Sequence, residues 1–172
     1  MFFKRFKTRS LQKNITLILK SRTKEFQTDK VSSIGIIFDY DSYHNYDFFH
    51  ELVDDLGIMK NKTRFLALIG DKKNRPNSWD SFFSLENFDW FGRPNNIEID
   101  EFIDQPLDLL ISYYNSNKPE LNLVTAFSKA NFKIGINNED PRLNDLIIDV
   151  LPSKTQVFKL ELFKYLTQLN RL

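Results

Sequence analysis

The chain has no cysteine, and that alone removes several functions. It can hold no disulfide framework, no thiolate nucleophile and no Cys-based zinc site. Glycine is scarce, with five in 172 residues, and none falls into a G-x-G-x-x-G or Walker pattern, so a dinucleotide-binding or P-loop reading lacks its main support. Alanine occurs only at Ala67, Ala126 and Ala130. Long hydrophobic runs are also missing. The longest early one, "ITLIL" at 15–19, is stopped by Lys20, too short for the h-region of a signal peptide and far short of a bilayer span. These absences lead us to expect a soluble cytoplasmic protein.

One further absence is local. Residues 1–24 contain no acidic side chain but carry Lys4, Arg5, Lys7, Arg9, Lys13, Lys20, Arg22 and Lys24. The rest of the chain then holds 16 of the 24 basic residues against all 23 acidic ones, a net charge of −7. Such segregation is a signal of interaction more than of folding.

What is present reads as alternating strands and helices. Leu11, Ile15 and Ile18 share one helical face, and Arg9, Lys13, Thr16 and Lys20 lie opposite, so residues 8–24 are expected to form a basic amphipathic helix. "MFFKRF" before it reads as a basic-aromatic arm. "SSIGIIFDYD" at 32–41 is a buried strand by its β-branched run. "NYDFFHELVDDLG" at 45–57 is a helix with Gly57 suited to its left-handed end. "RFLALIGD" at 64–71 is a second strand, and a polar loop follows. Residues 81–94, "SFFSLENFDWFGRP", are aromatic and fit a short helix plus a short strand; "EIDEFID" fits a helical turn. A strand at 107–113, a helix at 118–131 and the strand "FKIGI" come next. "LNDLIIDV" at 143–150 is a last strand or edge hairpin. Phe158, Leu162, Tyr165, Leu166 and Leu169 place an amphipathic helix at the end.

This order implies an α/β fold, a single Rossmann-like domain with a mostly parallel sheet flanked by helices. The basic arm and amphipathic helix (1–30) precede the Rossmann-like domain (31–172), which a C-terminal helix closes. "DLLISYYNSNKPELNLVTAFSKANFKIGI" followed by "DPRLNDLIIDV" resembles an uncharacterised family of small bacterial proteins over about residues 30–165. That resemblance implies a fold and no activity. The rhythm of the same stretch is similar to the first Rossmann-like half of heptose-moving glycosyltransferases, enzymes that need a second half for the nucleotide sugar; 172 residues leave no room for one.

Several constellations could carry chemistry. "FDYDS" resembles the opening motif of haloacid-dehalogenase-like phosphatases, which would make Asp39 the nucleophile and Asp41 the general acid. Ser112, Lys129 or Lys133, Glu139 and Asp140 follow in the matching order. The lysines sit too close in sequence to the acidic pair for that fold, and the small residue after the second Asp is missing, so a strand end with a capping Asp41-Ser42 is the favoured reading. His50 and Asp54 have metal-ligand spacing, but with His44 as the only other histidine a solvated helix face fits better, and no metal or other cofactor is expected. Tyr113, Tyr114 and Asn115 end a central strand, and Asp39, Asp41, Gly70, Asp71 and Asn137 would gather on the same rim, where open α/β sheets bind ligands. Trp79, Trp90 and Phe91 read as core packing or a partner surface.

The basic segment is the strongest signal. Its cations suit phosphates, and Phe2, Phe3 and Phe6 suit either bases or a membrane interface. The expectation is a non-enzymatic protein that binds RNA or an RNA-containing particle such as the ribosome through this helix. An anionic membrane surface and a small-molecule ligand at the strand-end rim are the alternatives.

Overall fold

A computed structural model describes residues 2–22, 30–43, 47–70, 81–136 and 140–172. Six strands are described: β1 (Ile34–Asp39), β2 (Thr63–Leu68), β3 (Ser81–Phe83), β4 (Leu109–Tyr113), β5 (Phe132–Ile136) and β6 (Leu146–Ile148). All pair in parallel, in the order β3-β2-β1-β4-β5-β6. That is the strand order of the doubly wound nucleotide-binding folds. The helices are α1 (Phe2–Ser21), α2 (Asp47–Asp55), α3 (Ile97–Asp104), α4 (Pro119–Phe127) and α5 (Thr155–Gln168).

The central strands β1, β4 and β5 are buried along their whole length, which is why they read as continuous apolar runs. Each helix supplies one apolar stripe. Phe49 and Leu52 of α2 join Phe158, Leu162 and Leu166 of α5 in covering one face of the sheet. Leu11 and Ile15 of α1, Phe102 of α3 and Leu121 and Val124 of α4 cover the other. Local chemistry sets the helix ends. The Asn96 side chain accepts from the Glu98 and Ile99 amides to start α3, and Pro119 occupies the first turn of α4. Gly57 takes φ +69° past the end of α2, as its position predicted. Asp108 Oδ2 accepts from the amides and hydroxyls of Ser32 and Ser33, pinning the entry of β1 to that of β4.

Three boundaries differ from the sequence reading. The helix expected at 8–24 begins at Phe2 and ends at Ser21, so the basic-aromatic arm is itself helical. The helix expected over 118–131 stops at Phe127, and the chain beyond it is drawn off by two amides, those of Lys129 and Asn131, which bond the carbonyls of Ile103 and Leu107. "EIDEFID" forms most of a two-turn helix instead of a single turn. The aromatic segment 81–94 resolves into β3, a 3-10 turn over Leu85–Asn87 and a tight turn at 88–94.

Candidate nucleic-acid interface

α1 is part of the layer that covers the sheet. Leu11 and Ile15 are buried, Ile18 is half-buried against the same core, and α4 is the neighbouring helix. The opposite face is solvent-exposed and carries Arg5, Arg9, Lys13 and Lys20, with Lys7 half-buried beside them. Lys4 lies in the first turn of the helix, and Lys24 lies outside the described residues. The helix has no acidic residue.

Arg22 departs from the rest of the set. Its guanidinium forms a bidentate pair with Asp145 (2.8 and 2.9 Å) and donates to the carbonyl of Leu143 at 3.2 Å, so it is spent on fixing the end of α1 to the approach to β6. Of the eight expected positions, Arg22 is thus taken up by contacts within the fold.

Beside α1 stands the turn 88–94, where sequence reasoning left Trp90 and Phe91 between core and partner surface. Both rings face solvent, with Phe91 72% exposed. The turn is nevertheless held firmly. Asn14 Nδ2 donates to the carbonyls of Phe91 (2.8 Å) and Gly92 (3.1 Å). Asp89 Oδ1 accepts from the amides of Phe91 and Arg93, both at 2.8 Å. Gly92 has φ +74°, and a Cβ there would lie 2.9 Å from the Leu11 amide nitrogen, so only glycine lets the turn come this close to the helix. Arg93 was not foreseen as part of a basic surface, because only the fold sets it beside Arg9 and Lys13. Trp79 lies outside the described residues.

The carboxyl rim of the sheet is the other expected site. Asp39 ends β1 next to β4, at the point where the strand order reverses. Its carboxylate is buried. Oδ2 accepts from Ser42 Oγ (2.7 Å) and Ser116 Oγ (3.2 Å) and pairs with Lys118 Nζ at 2.6 Å, while Oδ1 has no hydrogen-bond partner. Ser116 and Lys118 were missed by the sequence reading; their only signal was their place between a central strand and Pro119. Asp41 Oδ2 accepts from the Gly70 amide at 2.8 Å, tying the exits of β1 and β2 together. Asn115 is exposed at this rim.

The two tyrosines face inward. Tyr113 packs edge-on to Phe49 and Phe158 and donates to the Pro152 carbonyl at 2.8 Å. Tyr114 is buried on the other face with its hydroxyl 2.9 Å from Thr125 Oγ1. Burial raises both phenols above the ordinary tyrosine value, helped at Tyr113 by Tyr43 and opposed at Tyr114 by hydrogen bonds to Thr125 and Ser112. Asp71, Asn137, Glu139 and His44 lie outside the described residues. His50 packs at a tilt of 55° against Phe65, 4.7 Å between ring centroids.

The phosphatase-like constellation does not assemble. Lys133 pairs across β4 with the level of Gly35, four residues below Asp39, or on the order of 13 Å at about 3.3 Å per residue. Lys129 reaches Asp104 instead. Ser112 Oγ lies 3.4 Å from Thr125 Oγ1, and Asp140 pairs with Arg142.

Lys133 has a structural task of its own. It is 2% exposed, and Nζ donates to the carbonyls of Thr125 (2.6 Å) and Ala126 (3.4 Å) in the last turn of α4. Burial, aided by the charge of Arg22 and opposed by Asp145, lowers its pKa to about 7. Below pH 7 the ammonium is charged in both states and its burial opposes folding. Above it the native state releases a proton that the unfolded chain keeps until about pH 10.4, so stability gains with rising pH across that window. Lys133→Met removes the titration. Urea midpoints from pH 6 to 10 should show wild type gaining on the variant by about 1.4 kcal/mol per pH unit at the steepest. Parallel curves would show that Lys133 keeps its proton throughout.

Taken together, the strand order and the rim define a Rossmann-like α/β domain with a basic helix on one face. The chain belongs to a family of unknown function, DUF6913, whose match spans residues 7–169 and so takes in α1 as well as the sheet. No curated protein and no solved structure matches it. No described helix is long and apolar enough to cross a membrane.

Proposed function

We propose that this is a cytoplasmic binding protein that attaches to RNA, or to an RNA-containing particle such as the ribosome, through the outer face of α1. One observation carries the reading. The helix buries Leu11 and Ile15 and presents Arg5, Arg9, Lys13 and Lys20 outward with no acid among them. The remainder of the chain, net −7 beyond residue 24, repels phosphate, so the attraction has to come from this face.

The test is the salt dependence of binding. Changing Arg9, Lys13 and Lys20 together to Gln keeps the helix and its apolar stripe. If each contacts a phosphate, the slope of log affinity against log salt falls by about 2–3 units, depending on strandedness. Anionic vesicles are run in parallel. An unchanged RNA affinity and slope would sink the reading, and loss of vesicle binding alone would move the function to a membrane surface.

A further inference from the structure

We infer that the cleft between α1 and the 88–94 turn is a base-stacking site, which makes single-stranded RNA the partner of this surface. The inference rests on the reading of α1 as an RNA-binding helix and adds what kind of RNA it takes.

The cleft has a volume of about 530 Å³, within the range of about 300–1,000 Å³ that small-molecule sites occupy. Phe6, Leu17 and Phe91 form its apolar lining, and Arg9, Lys13 and Arg93 are its cations; among the described residues no acidic side chain lines it. Phe6 is 55% and Phe91 72% exposed. They are not members of the buried core, which on this side of the sheet holds Leu11 and Phe88 instead.

A ring left in water on a mobile loop would mean little. Phe91 is on a turn fixed by Asn14, by Asp89 and by the close approach of Gly92 to α1. The backbone that carries the ring is therefore fixed before any ligand arrives, and the entropy of ordering the turn is already lost. Exposed rings interleaved with cations are what single-strand binding surfaces use: the cations follow the backbone and the rings take the bases. A duplex holds its bases in its own stack and has none to offer. A flat bilayer cannot fill a concave cleft, which sets this surface apart from an interfacial helix that lies in the plane of the membrane.

The experiment uses the full chain, a labelled 12-nucleotide RNA without self-complementarity, and the same RNA annealed to its complement. Wild type should bind the single strand more tightly than the duplex. Phe91→Ala should weaken single-strand binding about 5- to 150-fold, the equivalent of about 1–3 kcal/mol, and leave the salt slope and the duplex affinity as they were. Phe91→Tyr should restore binding. The exposed position keeps the melting temperature of both variants at the wild-type value, which is measured beside them. Equal binding of both RNA forms with no effect of Phe91→Ala overturns the stacking site and leaves the role of α1 standing. Failure of the wild type to bind either RNA overturns both, and a Phe91→Ala variant that loses only anionic-vesicle binding overturns the stacking site.

Discussion

Leu110→Ala is expected to lower the unfolding free energy by about 2–5 kcal/mol. Leu110 is fully buried in β4, with β1 on one side and β5 on the other. Its neighbour in β1 is Gly35, and a Cβ built there would come within 2.5 Å of Leu107 Cδ1 and 3.4 Å of Leu110 Cδ1. The absent side chain at Gly35 is thus filled by leucine methyls, and truncating Leu110 opens a space that the strands, hydrogen-bonded on both sides, cannot close. In urea the midpoint should fall with the slope unchanged. A midpoint that does not move would remove β4 from the centre of the sheet.

Asp145→Ala should cost as much by a different route. The carboxylate is nearly inaccessible, binds Arg22 through both oxygens and accepts the Lys133 amide at 2.9 Å. Removing one member of such a pair leaves a guanidinium in a poorly solvated place, a loss of about 3–5 kcal/mol. Lys133 loses a negative neighbour that raises its pKa, so a neutral amine becomes still more favoured there. Asp145→Asn keeps one acceptor and should recover part of the loss. If Asp145→Ala melts with the wild type, the Arg22 contact is a solvated surface pair and does not anchor α1.

The parallel sheet was legible because its central strands are buried on both faces. "IGIIFD" and "LLISY" leave little room for another reading. The outer faces were legible for the opposite reason: Leu11, Ile15 and Ile18 recur at helical spacing against a row of cations. The rim was harder. Asp39 was placed correctly at a strand end, yet its partners Ser116 and Lys118 lie more than 75 residues away and share no motif with it. Tyr113 and Tyr114 looked like rim residues because they end a strand; successive side chains on a strand point to opposite faces, and each phenol found an internal partner, the Pro152 carbonyl for Tyr113 and the Thr125 hydroxyl for Tyr114. Arg22 looked like any other cation of the segment, and only the fold brings Asp145 to it. The same holds for Asn14 and the 88–94 turn, whose joint surface is set by tertiary packing alone.

The docking of α1 also has a consequence in time. The helix is made before its partners, since its neighbour α4 begins at Pro119 and the turn that Asn14 holds is centred near Phe91. At about 5–20 residues per second, a ribosome needs on the order of 5–20 s to travel the roughly 100 residues from the end of α1 to α4. Through that interval Leu11 and Ile15 lack the α4 part of their partner surface, and a nascent basic helix with an incompletely covered apolar stripe stands close to the most concentrated RNA in the cell. The order of synthesis therefore gives the segment an early life as an unprotected peptide. Its charge keeps such segments from collapsing on one another, and its folded position is reached only when most of the sheet already exists.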